Sequence, residues 1–439
     1  MKAPLIVACF PPLLGHATQV VSIANELVHR GNTVACFGPL STGKILNGTA
    51  LPFHAWEEYL DSQTLARIYL HVRELFAQLS VTTGVLAGES RILDSVASFY
   101  SPMFDMFIRA FRDIGPSYLL IERSLLSAMD AAACTGIPYC VEAQFLGGFG
   151  KRQRHHPHHG TPFIAPMSFP DRVKNSLWPA AAMTWFVRPA LRIATARARS
   201  GVPPLSNPFK KRKIIVGSSQ HLDRLAEPHD NVSVVGPILT KTRASIAPSL
   251  ESWLDERQSR GVIYVSFGTL ADIKALQVHA LIEGLQQTGL DVLWALNQHQ
   301  QKMLPVEIPS SFRIENFVPQ PAVLAHGAVR VFVSHCGLNS ILEAAISAKP
   351  ILGIPIFGDQ FYNSARMVEL GVGLRLLKEE INGPAMAGRL RELLETADYK
   401  VNAHALSEVL QREDGRTAAA REIEKDLNNQ VGEEQTMVR

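Results

Sequence analysis

Short apolar runs alternate with helical patterns along most of this chain, and this alternation limits the possible folds more than any other feature. In the first half, we expect a strand at Leu5–Phe10, a helix at Ala17–Arg30 and a strand at Thr33–Phe37. The second half repeats the alternation, with a strand at Val262–Phe267 and a helix at Ala275–Gln287. Apolar strands separated by helices are typical of parallel sheets covered on both faces. The sequence therefore predicts an α/β fold.

The length of the chain predicts more than one domain. Its 439 residues exceed what one hydrophobic core usually holds, so we expect two doubly wound parallel-sheet domains that face a cleft. Gly236–Pro237 and the polar stretch after it indicate an interdomain linker. The predicted divisions are an N-terminal domain at 1–238, a linker at 239–258, a C-terminal domain at 259–398 and a helical tail at 399–439.

Composition excludes several classes of protein. A hydrophobic content of 46% with 19% charged residues is that of a folded chain, and a net charge of +3 does not favour nucleic acid or an anionic membrane. The five cysteines are scattered, which argues against a disulfide framework or a zinc site and favours a reducing compartment. No apolar run of transmembrane length is present, and Leu5–Phe10 is too short for a signal peptide. We expect a cytoplasmic protein without a transmembrane segment or an obligate protein partner.

His16 is the first candidate catalytic residue. It follows the first predicted strand and precedes the first predicted helix, which places it at the carboxyl edge of the sheet, facing the cleft. A neutral imidazole at that edge can act as a general base. The alternative is a histidine that only bonds to the backbone at a helix start.

The stretch from Phe317 to Gln360 carries the strongest functional signal. It reads FVPQ, then HCGLNSILE, then DQ, at fixed separations. This stretch resembles, without a gap, the nucleotide-sugar box of the UDP-dependent glycosyltransferases that decorate small molecules, best known from plant secondary metabolism. The resemblance implies two Rossmann-like domains in the GT-B arrangement, a UDP-sugar as co-substrate and no further cofactor.

The middle of this box has a physical reason to bind a diphosphate. His335 and Gly337 lie in a turn between a predicted strand and a helix, where free backbone N–H groups and the helix dipole favour an anion. Asn339 and Ser340 add side-chain donors. The resemblance implies that the Glu343 carboxylate accepts hydrogen bonds from the ribose, whereas an isolated Ser-x-x-Glu would be a capping box.

The two ends of the box are expected to hold the base and the sugar. The resemblance puts Phe317 where related enzymes stack a tryptophan on uracil, makes Val318 part of the donor site, and lets the Gln320 amide bind the uracil edge. A buried aromatic at a strand end is the alternative for Phe317. Asp359 and Gln360 are expected to bind hydroxyls of the donor sugar, and Gln at the last position is associated with glucose.

A second phosphate contact is expected after the strand that ends near Phe267. Gly268 permits close backbone approach and the Thr269 hydroxyl can donate, in a loop that resembles the family's Ser-Phe-Gly-Ser/Thr sequence. No Asp-x-Asp pair occurs in the chain, so we expect no metal. A cluster of four histidines within 155–159 is interrupted by Pro157 and lacks structural-zinc spacing, which favours a cationic loop over a metal site.

Glu122 is the expected partner of His16. The segment Asp130–Pro138 resembles the family's D-x-A-x-x-x-G-I-P pattern, and counting back eight residues reaches Glu122 where the family has aspartate. That carboxylate would orient His16 and stabilise its cation. Alternatives are a surface glutamate paired with Arg123, or replacement of its role by Asp113 or Asp130.

These observations lead to one main hypothesis. It is inverting transfer of a hexose, most simply glucose, from a UDP-sugar to a hydroxyl of an apolar small molecule, giving a β-glycoside. The alternatives are a catalytically impaired UDP-sugar-binding protein and a UDP-sugar epimerase on a similar scaffold. Acceptor identity is expected to depend on the least regular regions, residues 55–110 and 140–205.

Overall fold

The strands and helices form two α/β units in sequence order. The structure, a computed structural model, describes residues 4–46, 48–81, 85–144, 150–151, 156–158, 161–224, 227–239, 245–268 and 275–437. Strands of the first unit are β1 (Leu5–Cys9), β2 (Thr33–Gly38), β3 (Phe53–Ala55), β4 (Tyr118–Glu122), β5 (Tyr139–Ala143), β6 (Gly150–Lys151), β7 (Ile214–Val216), β8 (Glu227–Pro228) and β9 (Val232–Val234). Its helices are α1 (Leu14–His29), α2 (Leu40–Gly43), α3 (Ser62–Val81), α4 (Val85–Ile114), α5 (Leu126–Thr135) and α6 (Phe169–Arg199).

The second unit has a similar arrangement. Its strands are β10 (Val262–Ser266), β11 (Asp291–Ala295), β12 (Phe312–Glu315), β13 (Val329–Ser334), β14 (Ile351–Gly353) and β15 (Gly373–Arg375). The helices from residue 248 to the end of the described chain are α7 (Pro248–Asp255), α8 (Ala275–Gln286), α9 (Gln298–Gln301), α10 (Gln320–Ala325), α11 (Leu338–Ile346), α12 (Gln360–Glu369), α13 (Gly383–Glu395), α14 (Ala397–Leu410) and α15 (Gly415–Met437).

Each unit is built on one parallel sheet, as predicted from the sequence. The N-terminal sheet has the order β3-β2-β1-β4-β5-β7-β9 and the C-terminal sheet the order β12-β11-β10-β13-β14-β15. All pairings within both sheets are parallel. In both sheets the order reverses beside the first strand, β1 or β10, which is where doubly wound folds bind their ligands.

The central strands are apolar because both faces of each sheet are covered. On β1, Val7 and Cys9 belong to a buried cluster with residues of α4 and α5, whereas Ile6 and Ala8 belong to a cluster with α1 and α15. This division follows from the alternation of side chains along a strand. β10 divides in the same way, with Val262 and Tyr264 on one side and Ile263 and Val265 on the other.

The last helix, α15, lies on the N-terminal unit. Its Ala419, Ala420, Ile423 and Leu427 are buried against α1 and β1. Arg30 Nη2 donates to Glu424 Oε2 over 2.7 Å. The domain divisions given above stay predictions; within the proposed linker, residues 248–255 form α7, whose Leu250 and Leu254 are buried in the C-terminal unit. Across the described residues, no helix is long and apolar enough to cross a bilayer.

Two expectations about local structure were wrong. The regions 55–110 and 140–205 were expected to be irregular, but they contain the long helices α3, α4 and α6. Pro179 and Pro189 lie inside α6, which packs on α4, so tertiary packing overrides the local cost of these prolines. In addition, α1 begins at Leu14, three residues earlier than predicted.

Candidate functional site

His16 and Glu122 come together at the carboxyl edge of the N-terminal sheet. His16 lies in the first turn of α1, immediately after β1, and Glu122 is the last residue of the neighbouring strand β4. The His16 Nδ1 atom lies 2.9 Å from Glu122 Oε1. A buried carboxylate at this distance favours the tautomer with hydrogen on Nδ1. The Nε2 atom is then the nitrogen that can accept a proton.

The Glu122 side chain is fully buried and held on both oxygens. The backbone N–H of Ser124 donates to Oε2 over 2.8 Å, and the Ser124 hydroxyl donates to the same atom. Burial alone would raise the pKa of Glu122, but His16 and Ser124 together hold it below its usual value. The carboxyl is therefore an anion. Ser124 was missed in the sequence because nothing in its spacing marks it.

The same pair changes the basicity of His16. Burial lowers the pKa of His16, but the Glu122 carboxylate opposes this effect by charge and hydrogen bonding, and the pKa is raised overall. Asp359 of the C-terminal unit adds to the increase. A carboxylate that raises the pKa of an imidazole makes it a stronger base and stabilises its cation.

The alternatives to this pairing do not fit. Glu122 is not a surface residue, since its exposure is 0%. Asp130 accepts two hydrogen bonds from the buried Arg197 guanidinium, at 2.9 and 2.7 Å, and one from Tyr100. Asp113 accepts from the Tyr59 hydroxyl at 2.7 Å. Both aspartates therefore have structural partners away from His16.

A second buried carboxyl, Glu142, lies beside Glu122 in register on β5. It is 0% exposed, and neither of its oxygens has a hydrogen-bond partner among the described residues. Burial raises the pKa of Glu142 well above its usual value, and the Glu122 charge raises it further. Glu142 is therefore neutral while its neighbour is ionised.

We expect Glu142→Gln to stabilise the protein at high pH. Below the unfolded pKa of about 4.5 both states hold the proton. As pH rises above that value, Glu142 ionises in the unfolded chain but not in the folded one. The free energy of unfolding of the wild type therefore falls by about 1.4 kcal/mol per pH unit. Glutamine does not titrate. Melting temperatures should therefore be similar near pH 5 and higher for the variant at pH 8, whereas Glu74→Gln, at an exposed position on α3, should change neither.

The donor turn follows β13 and opens α11. Cys336 adopts a left-handed backbone, with φ of 63°, and Gly337 precedes the first residue of α11. A non-glycine residue in this conformation is uncommon and is often found at ligand sites. The turn puts the N-terminal end of α11 at the carboxyl edge of the C-terminal sheet, which supports the prediction of a diphosphate site.

The His335 ring fills the space between the two predicted phosphate loops. A Cβ atom on Gly337 would lie 2.6 Å from His335 Nε2, and one on Gly268, where φ is +71°, would lie 3.0 Å from the same atom. Glycine is thus needed at both positions. Burial lowers the pKa of His335 to about 4, so its ring is neutral. Thr269 lies outside the described residues, and its role stays a prediction.

Asn339 joins the donor helix to the catalytic turn. Its Nδ2 donates to the Gly15 carbonyl over 2.9 Å, and Gln19 Nε2 donates to its Oδ1 over 3.2 Å. Gly15 immediately precedes His16. The predicted donor site and the candidate base are therefore in direct contact across the two units, a link that sequence spacing could not reveal.

Gln320, Ser340 and Glu343 form one polar network. The Gln320 amide nitrogen donates to Glu343 Oε2 over 2.7 Å and to Ser340 Oγ over 3.1 Å. Its amide oxygen accepts from the Tyr264 hydroxyl. In this arrangement Gln320 orients the Glu343 carboxylate. A contact between Gln320 and uracil, as predicted, would require the Gln320 amide to leave these partners. Burial raises the pKa of Glu343 to about 7.

This pKa predicts how donor affinity depends on pH. If the ionised Glu343 accepts two ribose hydroxyls, UDP-glucose should bind more tightly as pH rises from 6 to 8, because the carboxylate form increases. Hydrogen bonds to a charged group contribute about 1.5–3 kcal/mol, so Glu343→Gln should weaken binding roughly 10- to 100-fold at pH 8 and remove most of the pH dependence. Calorimetry at pH 6 and pH 8 measures the affinity of both proteins for UDP-glucose. An equal change of affinity with pH in the wild type and in Glu343→Gln would contradict the prediction.

Phe317 and Val318 have opposite environments. Phe317 lies beyond the end of β12 and its side chain is 78% exposed, so it is not a core aromatic and offers a free ring face. Val318 is 3% exposed and packs with Val323 and Leu324. Its side chain therefore supports the loop, and only its backbone is open to a ligand role.

Asp359 and Gln360 lie at the start of α12. Asp359 Oδ2 accepts from Asn363 over 2.7 Å, and burial raises the pKa of this carboxyl. Gln360 Oε1 accepts from the backbone N–H groups of Ile356 and Phe357 at 2.9 and 3.1 Å. The amide oxygen of Gln360 thus holds its own loop, which leaves the amide nitrogen for the predicted sugar contact.

The histidine-rich stretch gives no support for a metal site. His155 and His159 lie outside the described residues, whereas His156 and His158 lie within them. In the described part of the chain, no group of three or more His, Cys, Asp or Glu side chains could hold a metal ion. Metal independence stays a prediction.

Two α/β units, each built on one parallel sheet and joined by the Asn339–Gly15 contact, form the GT-B glycosyltransferase fold. A family model described as UDP-glucoronosyl and UDP-glucosyl transferase matches residues 124–414, and the chain belongs to this family. The family resemblance and the fold class predicted from the sequence are thus confirmed.

Curated relatives match over part of their length. The chain is 36% identical over 173 residues to UDP-glycosyltransferase 84A4 of Arabidopsis thaliana, covering 36% of each chain. It is 38% identical over 183 residues to anthocyanidin 3-O-glucosyltransferase 1 of Fragaria ananassa, covering 40% of this chain and 38% of the relative. The matches thus span little more than a third of these relatives.

Solved structures match over nearly the whole chain. The crystal structure of the glycotransferase of kitacinnamycin gives a TM-score of 0.71 at 19% identity, covering 97% of this chain and 100% of that one. Phytolacca americana UGT2, complexed with UDP-2fluoro-glucose and pterostilbene, gives 0.66 at 19% identity, covering 97% of this chain and 100% of that one. At such identities these likenesses concern the fold.

Proposed function

We propose that this protein transfers a hexose, most simply glucose, from a UDP-sugar to a hydroxyl of an apolar small molecule, with inversion at the anomeric carbon. The observation that carries the proposal is the contact between Asn339 and Gly15. It joins the donor helix to the turn that holds His16, whose imidazole is in turn held by Glu122. A general base beside a nucleotide-sugar site can activate an acceptor hydroxyl next to the donor sugar, as direct transfer of the sugar requires.

The proton would leave the acceptor through His16. With Nδ1–H donated to Glu122, the Nε2 atom accepts the hydroxyl proton as the acceptor oxygen bonds to the anomeric carbon. The buried Glu122 carboxylate stabilises the imidazolium that forms. Ser124 keeps that carboxylate ionised and oriented.

The bond between the anomeric carbon and the diphosphate oxygen would break as the new bond forms, and its electron pair would leave with UDP. The N-terminal end of α11 stabilises the negative charge on the leaving diphosphate through backbone N–H groups. Gly268 and Gly337 allow close backbone approach, and Thr269, His335, Asn339 and Ser340 are the proposed side-chain donors. One displacement on an α-linked donor gives a β-glycoside.

The remaining donor roles follow the family pattern. We propose that Phe317 stacks on uracil beside the Val318 backbone, that Glu343, oriented by Gln320, binds the ribose, and that Asp359 and Gln360 bind the sugar. Gln360 and the names of the glucosyltransferase relatives support glucose. The name of the Fragaria ananassa relative also makes anthocyanidin-like phenols the first acceptors to test. Five free cysteines support a cytoplasmic, reducing location.

Mass spectrometry of reactions with UDP-glucose tests this proposal. The purified protein is incubated with a panel of phenols and polycyclic alcohols, with and without EDTA, and the expected product in both cases is an acceptor heavier by one hexose. Conversion of UDP-glucose to another UDP-hexose without an acceptor would identify an epimerase. Calorimetric binding of UDP-glucose with no turnover on any acceptor would support the impaired binding protein, and transfer abolished by EDTA would contradict metal independence.

A further inference from the structure

Helix α6 has an unusual outer face. Its 31 residues pack on α4 through one side, where Asn175, Pro189 and Arg197 are buried. On this side Arg197 pairs with Asp130 and Arg192 reaches Asp94. A helix on a protein surface normally directs polar side chains away from such a contact. In α6 the opposite side is apolar instead.

Six large apolar side chains form this outer face. At about 100° per residue they fall within a sector of roughly 120° on the side opposite the buried residues, and they extend over about 33 Å of the helix axis. They are Phe169 (77% exposed), Val173 (45%), Leu177 (62%), Met183 (71%), Val187 (52%) and Leu191 (63%). We call these six residues the α6 apolar face. A continuous exposed apolar face of this length indicates an interaction surface.

After Asp171 in the first turn, the charges along α6 all have one sign. The segment from Arg172 to Arg199 contains six basic residues and no acidic residue. Five of the six have exposed side chains, and the helical period puts Arg172 on one border of the face and Arg188 and Arg199 on the other. The small net charge of the chain therefore conceals a strongly basic local surface.

We propose that the α6 apolar face docks on the surface of an anionic lipid bilayer. Apolar side chains below a border of arginine and lysine are what a helix lying in the bilayer interface requires, and each basic residue near an anionic surface contributes about 1 kcal/mol. A second copy of this chain is a poorer occupant, because a symmetric contact would bring the basic borders of two helices together.

The position of α6 gives this docking a use in acceptor supply. Ser90 Oγ, near the start of α4, donates to the carbonyl of Trp185 on α6 over 2.9 Å. The adjacent Glu89 faces the loop that holds Asp359, with its Oε1 atom 3.8 Å from the Cβ position of Gly358. The start of α4 thus joins α6 to the Asp359 loop, so a docked bilayer would lie on the far side of α6 from that loop, and an acceptor dissolved in the lipid could reach the site around the helix.

Vesicle co-sedimentation of the full chain tests the proposal. The wild type should bind vesicles of phosphatidylcholine with about 30% phosphatidylserine and bind much less to phosphatidylcholine alone. Combining Phe169→Ser, Leu177→Ser and Leu191→Ser should weaken binding more than about tenfold, since each removes buried apolar area. A matched control combines Leu205→Ser, Val306→Ser and Val401→Ser, which are 91%, 104% and 61% exposed elsewhere. It should bind like the wild type.

The outcomes separate lipid from other occupants. Combining Arg172→Gln, Lys174→Gln and Arg188→Gln should reduce binding to the anionic vesicles only. All substituted side chains are exposed, so circular dichroism and melting should match the wild type. Failure of the wild type to bind anionic vesicles would overturn the proposal, as would equal losses in both serine variants. A dimer in sedimentation velocity that only the α6 serine variant disrupts would assign the face to a second copy instead.

Discussion

Replacing His16 with alanine should reduce transfer to alcohols and phenols by about 10²–10⁴, the usual contribution of a general base. The His16 side chain is 35% exposed, and it is held by Glu122 and not by a residue of the predicted donor site, so UDP-glucose affinity should stay near that of the wild type. Product formation and calorimetry measure the two effects separately. His29→Ala, at the exposed end of the same helix, is the matched control and should retain full activity.

The pH profile gives this prediction a second test. Only neutral His16 can accept a proton, and its raised pKa means that activity should fall as pH decreases through a value above 6.5. This fall in activity at low pH, the acid limb of the profile, should be absent from the residual activity of His16→Ala. Full activity of that variant on ordinary alcohols would remove His16 from the role of base.

Glu122→Gln is expected to have the second largest effect. The substitution keeps the size of the side chain but removes the charge that raises the pKa of His16 and stabilises its cation. We expect kcat to fall by roughly 10²–10³, within the range for loss of a well-held base, and the acid limb to move to lower pH. A stopped assay across pH 5 to 9 measures both changes.

Two further variants test whether the charge of Glu122 causes the effect of Glu122→Gln. Glu142→Gln removes a neighbouring buried carboxyl that is already neutral, so the acid limb should not move. Glu122→Asp keeps the charge at a greater distance and should retain more activity than Glu122→Gln. If Glu122→Gln changed neither kcat nor the position of the limb, Glu122 would be a structural residue and not the partner of His16.

Local sequence patterns predicted the scaffold well because each strand and helix carries its own signal. Alternating apolar runs predicted both parallel sheets, and a strand, glycine turn and helix predicted the fold around Gly337. The segment Asp130–Pro138 led to Glu122 by counting, although the role of that residue depends on a contact 106 positions away in the chain. Spacing could position the carboxyl on β4 but could not show its distance from His16.

What the sequence could not provide depends on contacts between distant segments. Asn339 was predicted to serve the diphosphate, but its bond to Gly15 joins residues 324 positions apart. Gln320 was expected to face uracil, and its network with Glu343 requires the two helices to be positioned first. Nothing in the pattern around Glu142 separates a buried neutral carboxyl from any other glutamate on a strand.

The region of α6 was misread for a different reason. The sequence predicts that 140–205 is among the least regular regions, and Pro179 and Pro189 are local signals against a helix there. The helix is formed because its inner side packs on α4, whereas the apolar outer face has no partner among the described residues. The signal that could have identified it is the absence of acidic residues over 172–199.

The anomeric configuration of the product tests the central claim most directly. The protein is supplied with UDP-glucose, whose glucose is α-linked, and an acceptor selected by mass spectrometry, and the purified glycoside is examined by proton NMR. A single displacement assisted by His16 predicts a β-glycoside. An α-glycoside would contradict this mechanism, because retention requires either two displacements or a front-face reaction, and neither is a single in-line displacement.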